Sequence, residues 1–216
     1  MSTELQQAKP AEPTFSFGGY ALDTSTLPTT AGFLIRAGAR LVDLACHWII
    51  QIASAFVFGL MLLVAVHGDR VAFQQHLSRL RGASVIAFLI AAVGYVSFHA
   101  VCEAFHGSTP GKMICGLVVL DESGRVCGLK AGLGRSLAFY VDGLFFGIIG
   151  YMAMKGSPLD QRKGDEWFHT VVAKRKAVSA DKLRGSGRFL ATTVLAAMVD
   201  SGFAFLGFLA HLRQWG

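Results

Sequence analysis

Between Phe33 and Val66 the chain is apolar for longer than the roughly 20 residues a helix needs to cross a bilayer, yet Arg36, Arg40 and Asp43 sit in its first turns. A charge in hydrocarbon costs roughly 2.5–3.5 kcal/mol on insertion scales, so such residues face protein or water and have partners. Arg36 and Asp43 are seven residues apart, about two helical turns, and share one face. The spacing recurs in Arg135-Ser-Leu-Ala-Phe-Tyr-Val-Asp142. Arg40 and Asp43 have the i,i+3 spacing of a salt bridge. His47 and Gln51 continue the polar face from Asp43 at i+4 steps. Either the helix is strongly tilted, or the Arg36/Arg40 turn lies in the headgroup layer and the hydrocarbon begins near Leu41. The stripe serves helix packing or lines an ion path; spacing alone leaves both open.

Of 216 residues, 53% are hydrophobic and 16% charged, against about 25% charged in a soluble domain. The chain has too little charge to cover a soluble surface, and the expected partner is a lipid bilayer. The net charge of +6 resides largely in loops between apolar runs, where anionic headgroups and cytoplasmic retention explain it without nucleic acid. Cys46, Cys102, Cys115 and Cys127 form no CxxC or zinc-ligand spacing, so neither a disulfide framework nor a zinc site is expected.

Taken in order, residues 1–32, with Pro10, Pro13 and Pro28, read as a disordered tail without the basic start and short apolar core of a signal peptide. The second span is expected near 83–105. At its end His99, Glu103 and His106 share a face; the residue types suit a metal, but a polar helix cap at the interface is the stronger reading, and no metal is expected. Thr109-Pro110-Gly111-Lys112 lacks the spacing and the Ser/Thr of a phosphate-binding loop, so no nucleotide or other cofactor is expected. Ile114–Leu120, the turn 121–124 and Val126–Leu129 read as a short β-hairpin at the membrane surface. A third apolar segment, 137–154, is just long enough to cross, with a re-entrant hairpin as its rival. A basic linker over 177–188 leads to a fourth span at 189–212, with Asp200 near its middle. Four crossings place the tail, the hairpin and the C-terminus on one side. The loops 67–82 and 155–188 then lie on the other side, which carries the larger share of Lys and Arg and is expected to be cytoplasmic.

Four stretches carry a resemblance: Gly32-Phe33-x2-Arg36-x6-Asp43; Glu103-x-Phe-x-Gly107-x-Thr-Pro-Gly-Lys112-x3-Gly116-Leu-x-Val-Val; Arg135-x6-Asp142; and Gly164-Asp165-x4-Thr170-Val-Val. Together they resemble the RDD family of membrane proteins over roughly residues 31–176. The resemblance implies an all-α membrane protein: a small polytopic bundle of three family-type segments (a domain of residues 33–176), here followed by the extra span. Arg36 and Asp43 match the charged first helix; Asp142 and Asp165 fall where the family also tends to be acidic, Asp142 being taken as the more structural partner. Glu166-Trp-Phe-His169 departs from the family's basic and small residues, and Asp200 lies beyond the shared region.

Two functions follow as expectations. One is transport of a cation or proton, with Arg36, Arg40, Asp43, Arg135, Asp142, Asp165 and Asp200 as the charge core. The other is a non-transporting assembly or regulatory subunit with structural Arg–Asp pairs, acting in a homo-oligomer or beside another membrane protein. No nucleophile stands beside a base at a recognisable spacing, so an enzyme is not expected. The expected location is a bacterial cytoplasmic membrane, multi-pass.

Overall fold

In the computed structural model, residues 15–17, 20–22, 29–79 and 85–213 are described. A two-stranded hairpin, β1 (Phe15–Phe17) and β2 (Tyr20–Leu22), precedes α1 (Phe33–Ala65). At 1.5 Å per residue α1 is about 50 Å long, more than a hydrocarbon core of about 30 Å. Its charged first turns therefore have length to spare outside the apolar layer. A short helix α2 (Arg70–Arg79) leads to α3 (Val85–Phe105), which runs back. Then come α4 (Pro110–Ile114), β3 (Leu117–Asp121), α5 (Leu129–Asp142), α6 (Leu144–Gly156), α7 (Lys163–Trp167), β4 (Thr170–Lys174) and α8 (Ser186–Arg213). The protein is mostly helical, with α1, α3 and α8 each long and apolar enough to cross a membrane.

β3 pairs antiparallel with β4, Val119 opposite Val172. Both strands are buried on both faces, as their near-continuous Val/Leu runs require. Leu117, Val119 and Val172 pack on Ala31, Ala39 and Cys127, while Val118, Leu120 and Ala173 pack on Val126, Val178 and Leu183. The outer edge of β4 is covered by Thr29–Ala31: Ala31 N donates to Val172 O at 2.9 Å and Lys174 N to Thr29 O at 2.9 Å. The sheet and α4 form a small cap at one end of the bundle. The turn expected at 121–124 is present and Leu120 bridges Val126, but the strand's main partner arrives fifty residues later, because 126–129 bends at once into α5.

The third apolar segment is not one straight span. α5 and the later part of α6 meet at 110°, with Phe145 and Gly147 at φ 52° and 86° in the elbow. Its two ends are tied to the same cap: Val126 bridges β3, and beyond α6 Asp160 accepts from Thr30 Oγ1 at 2.7 Å while Gln161 Nε2 donates to Thr170 O at 2.9 Å. With both ends at the cap, the segment has the form of the re-entrant hairpin, the rival to a fourth crossing. In that arrangement α1, α3 and α8 are the crossings, with residues 29–32, 106–128 and 157–185 on the cap side and α2 and the end of α8 on the other. The disordered tail expected over 1–32 lies mostly outside the described residues, although Phe15–Phe17 and Tyr20–Leu22 form a strand pair and Thr29–Ala31 belong to the sheet edge. The basic 177–188 stretch is no loose linker either: Val178 and Leu183 pack on the sheet and Arg175 Nη2 donates to Arg184 O at 2.9 Å.

Candidate functional site

Two acids of the repeated Arg-x6-Asp pattern are held in the same way. Asp43, fully buried, accepts from Thr109 Oγ1 at 2.6 Å and from Gly111 N at 2.7 Å. Asp142 accepts from Lys163 N at 3.2 Å and Gly164 N at 3.3 Å. Each carboxylate thus caps the start of a five-residue helix, α4 or α7, where amides lack intrahelical partners. The glycines let the backbones meet. A Cβ on Gly111 would lie 1.9 Å from Ala39 O, and one on Gly164 would lie 2.8 Å from Ala138 Cβ. Thr-Pro-Gly-Lys is therefore a carboxylate clamp: Thr109 caps α4, Pro110 starts it without needing an amide donor, and Gly111 gives close approach to α1.

The likeness extends further. Gly111-Lys112-x4-Leu117-Val-Val aligns with Gly164-Asp165-x4-Thr170-Val-Val. The residue before each strand, Gly116 or His169, has a left-handed backbone at φ 66° or 50°. The β3–β4 ladder is symmetric about Val119 and Val172 under this alignment. α1, α4 and β3 are thus related to α5, α7 and β4 as two halves around the sheet.

The arginines do not pair with the acids two turns along their own helices. Arg36 Nη1 reaches Asp165 Oδ2 at 2.7 Å, and Arg135 Nη2 reaches Asp165 Oδ1 at 2.7 Å. Arg135 Nη1 also lies 3.2 Å from Glu103 Oε2, whose other oxygen accepts from Lys112 Nζ. The result is an alternating chain, Lys112–Glu103–Arg135–Asp165–Arg36, with one residue each from α4, α3, α5, α7 and α1. All five are less than 10% exposed. Burial would raise the Asp165 carboxyl, but Arg135, Arg162 and Arg36 hold it far below the usual carboxylate range. Burial draws the Lys112 ammonium below its usual value against the opposing charge of Glu103. Asp165, not Asp142, is the hub. Arg162, which sequence reasoning passed over, joins it through its backbone N at 3.2 Å and its Nε at 3.7 Å; its i,i+3 spacing to Asp165 was the available signal.

Arg40 forms no salt bridge to Asp43. Its guanidinium lies 3.9 Å from the Phe139 ring centre and 5.1 Å from that of Tyr95. His99, Glu103 and His106 do not converge on one point. His99 meets the Tyr95 and Phe98 rings, Glu103 belongs to the charge chain, and His106 Nε2 lies 3.3 Å from Arg184 O. Among the described residues no group of His, Cys, Asp or Glu could hold a metal ion.

A second polar site lies deeper. Asp200, fully buried on α8, accepts from Gln51 Nε2 at 3.0 Å and lies 2.8 Å from His47 Nδ1. One turn on, Ser54 Oγ donates to Ser201 Oγ at 2.9 Å. The stripe begun at Asp43 is therefore shared between two sites, Asp43 going to the cap and His47 with Gln51 to Asp200. Gly94 makes room: a Cβ there would lie 2.5 Å from Asp200 Oδ1. Towards the cap, the His47 ring touches Tyr95, Tyr95 touches His99, and Arg40 lies over Tyr95.

No curated protein and no solved structure matches the chain. The RDD family matches residues 30–169, which include both copies of the Arg-x6-Asp pattern, the Thr-Pro-Gly-Lys clamp and the hub Asp165, and leave out α8. With most of its length matched and its apolar helices built around that charge chain, this multi-pass membrane protein belongs to the RDD family.

Proposed function

We propose that the protein moves a proton or a small monovalent cation across the membrane, with Asp200 as the exchanging carboxylate and His47 as its proton partner. One observation carries this reading: among the described residues Asp200 has polar partners, His47 and Gln51, but no lysine or arginine within salt-bridge distance. A carboxylate buried within an apolar span is neutralised at low cost only by a proton or a bound cation. A 290 Å³ cavity lined in part by Gln51, Ser54, Phe58 and Phe208 adjoins it, and Tyr95, His99 and Arg40 continue the seam towards the cap. The five-residue charge chain takes the structural role in this scheme. With three crossings, the described lysines and arginines on the far side are Arg70, Arg79 and Arg213, so the positive-inside rule supports a cytoplasmic cap.

The test is dye-reported proton movement in proteoliposomes under an imposed Na⁺ or K⁺ gradient. A monodisperse, helical Asp200→Asn protein is expected to lose the flux. Undiminished flux in that variant would sink the assignment. A wild type silent towards several cations would favour the second reading, an assembly subunit, which the interlocked charge chain supports.

A further inference from the structure

A 350 Å³ cavity lies between the cap-side half of α1 and the α5–α6 elbow, where the two related halves face each other. Arg36, Arg40, Lys112 and Arg162 line it, together with Asp43 and Asp142. Both acids already accept hydrogen bonds on each oxygen, from Thr109, Gly111, Lys163 and Gly164. The cations are less well served. Arg36, 8% exposed, gives Nε to Ala31 O and Nη1 to Asp165, but its buried Nη2 has no hydrogen-bond partner. Buried Arg40 Nε has none either, and no carboxylate lies within salt-bridge distance of Arg40 among the described residues. Unmade hydrogen bonds on buried guanidinium groups are costly, and two oxygens of a phosphate suit their planar donors. The rest of the lining is apolar, with Phe33, Leu41, Phe139 and Met154. It lies at the charged first turns of α1, a helix longer than a hydrocarbon core of about 30 Å.

We propose that this cavity binds the phosphate head of an anionic membrane lipid, with Arg40 and the free Nη2 of Arg36 on the phosphate and an acyl chain along Phe33, Leu41 and Met154. A lipid fits better than a free phosphate because the cavity is amphipathic and lies at the charged end of a helix long enough to cross a membrane. The site is independent of the Asp200 proposal and can hold whether or not the protein transports.

The test is native mass spectrometry of the full chain in neutral maltoside micelles with phosphatidylglycerol, phosphatidylcholine or inorganic phosphate added. Phosphatidylglycerol is expected to bind one per chain and about tenfold more tightly than phosphatidylcholine, as charge-assisted contacts imply. Arg40→Gln should remove that preference, whereas Lys176→Gln, on an exposed turn, should keep it. Met154→Trp fills the cavity without altering charge and should also abolish binding, so the proposal stays testable if Arg40→Gln does not fold. Equal binding of the two lipids, retained preference in a folded Arg40→Gln or Met154→Trp protein, or competition by millimolar inorganic phosphate would each overturn the assignment.

Discussion

Replacing Asp165 with Asn removes one charge from a site with 0% exposure that receives Arg135 at 2.7 Å and 2.9 Å, Arg36 at 2.7 Å and the Arg162 side chain at 3.7 Å. The lost attraction is not the main cost. Arg36 is left buried without a counter-charge and Arg135 keeps only Glu103, and breaking a buried pair from one side costs about 3–5 kcal/mol. In a chain of this size each kcal/mol shifts the thermal midpoint by roughly 2–4 °C, so Asp165→Asn should melt about 6–20 °C below wild type in detergent. Asp142→Asn is the control. Its carboxylate meets two backbone amides at 3.2 Å and 3.3 Å, and an amide oxygen still accepts one, so its cost should be about 1–2 kcal/mol. Arg36→Met combined with Asp165→Asn should cost less than the two single changes summed, because neither leaves the other stranded. An Asp165→Asn protein melting within 2 °C of wild type, or no milder than Asp142→Asn, would refute the hub.

Gly111→Ala places a methyl 1.9 Å from Ala39 O. It should push α4 off α1 and forfeit both bonds to Asp43, at about 3 kcal/mol or more, read as lost folded yield on size-exclusion chromatography. Because Asp165 has a depressed carboxyl, its stabilisation is fully present above the unfolded value of about 4 and is lost as pH falls further towards the folded value. Its share of stability, taken as the difference between wild-type and Asp165→Asn melting temperatures, should be constant from pH 8 to 5 and shrink only below about pH 4; shrinkage between pH 7 and 5 would contradict the ion pairs. In a cysteine-free background, thiols introduced at exposed Ser78 in α2 and at exposed Ser179 on the cap side should label from opposite sides of the membrane with an impermeant maleimide. Labelling from one side would restore the fourth crossing.

The spans were legible where the signal is one-dimensional. Apolar length gave α1, α3 and α8 to within a few residues, and the cost of burying charge singled out Arg36 and Arg135, whereas Asp165 came only from the family resemblance. The pairing was not legible. Helical spacing puts Arg36 with Asp43 and Arg135 with Asp142 on shared faces, but shared faces do not make contacts. Each acid instead meets a helix start from another part of the chain, which frees both arginines for Asp165. The partner of β3 was missed for a similar reason: the turn at 121–124 favours a local hairpin, while the Val-Val runs at 118–119 and 171–172 suit two fully buried strands facing each other. The elbow had a signal in Gly143, Gly147 and Gly150, which also suits close helix packing. Tyr95 gave no sign at all.

The two halves share a scaffold but not a charge pattern, and the difference accounts for the separation of the two polar sites. Lys112 and Asp165 hold equivalent positions with opposite sign. Lys112 must find an acid, and α3 supplies Glu103; Asp165 must find bases, and Arg36 crosses from the other half while Arg135 comes from its own. A lysine in place of Asp165 would face Arg36 and Arg135, so the sign change lets Arg36 tie one half to the other. Beyond the acids the halves diverge again. After Asp43, α1 continues and carries His47 and Gln51 to Asp200, whereas after Asp142 the chain bends by 110° through the Phe145–Gly147 elbow. Only one half can therefore extend a polar seam into the apolar layer. The acid at its end comes from α8, outside the matched family region. If the cap is scaffold and the seam conducts, shortening the chain before α8 should preserve the charge chain and remove the exchange.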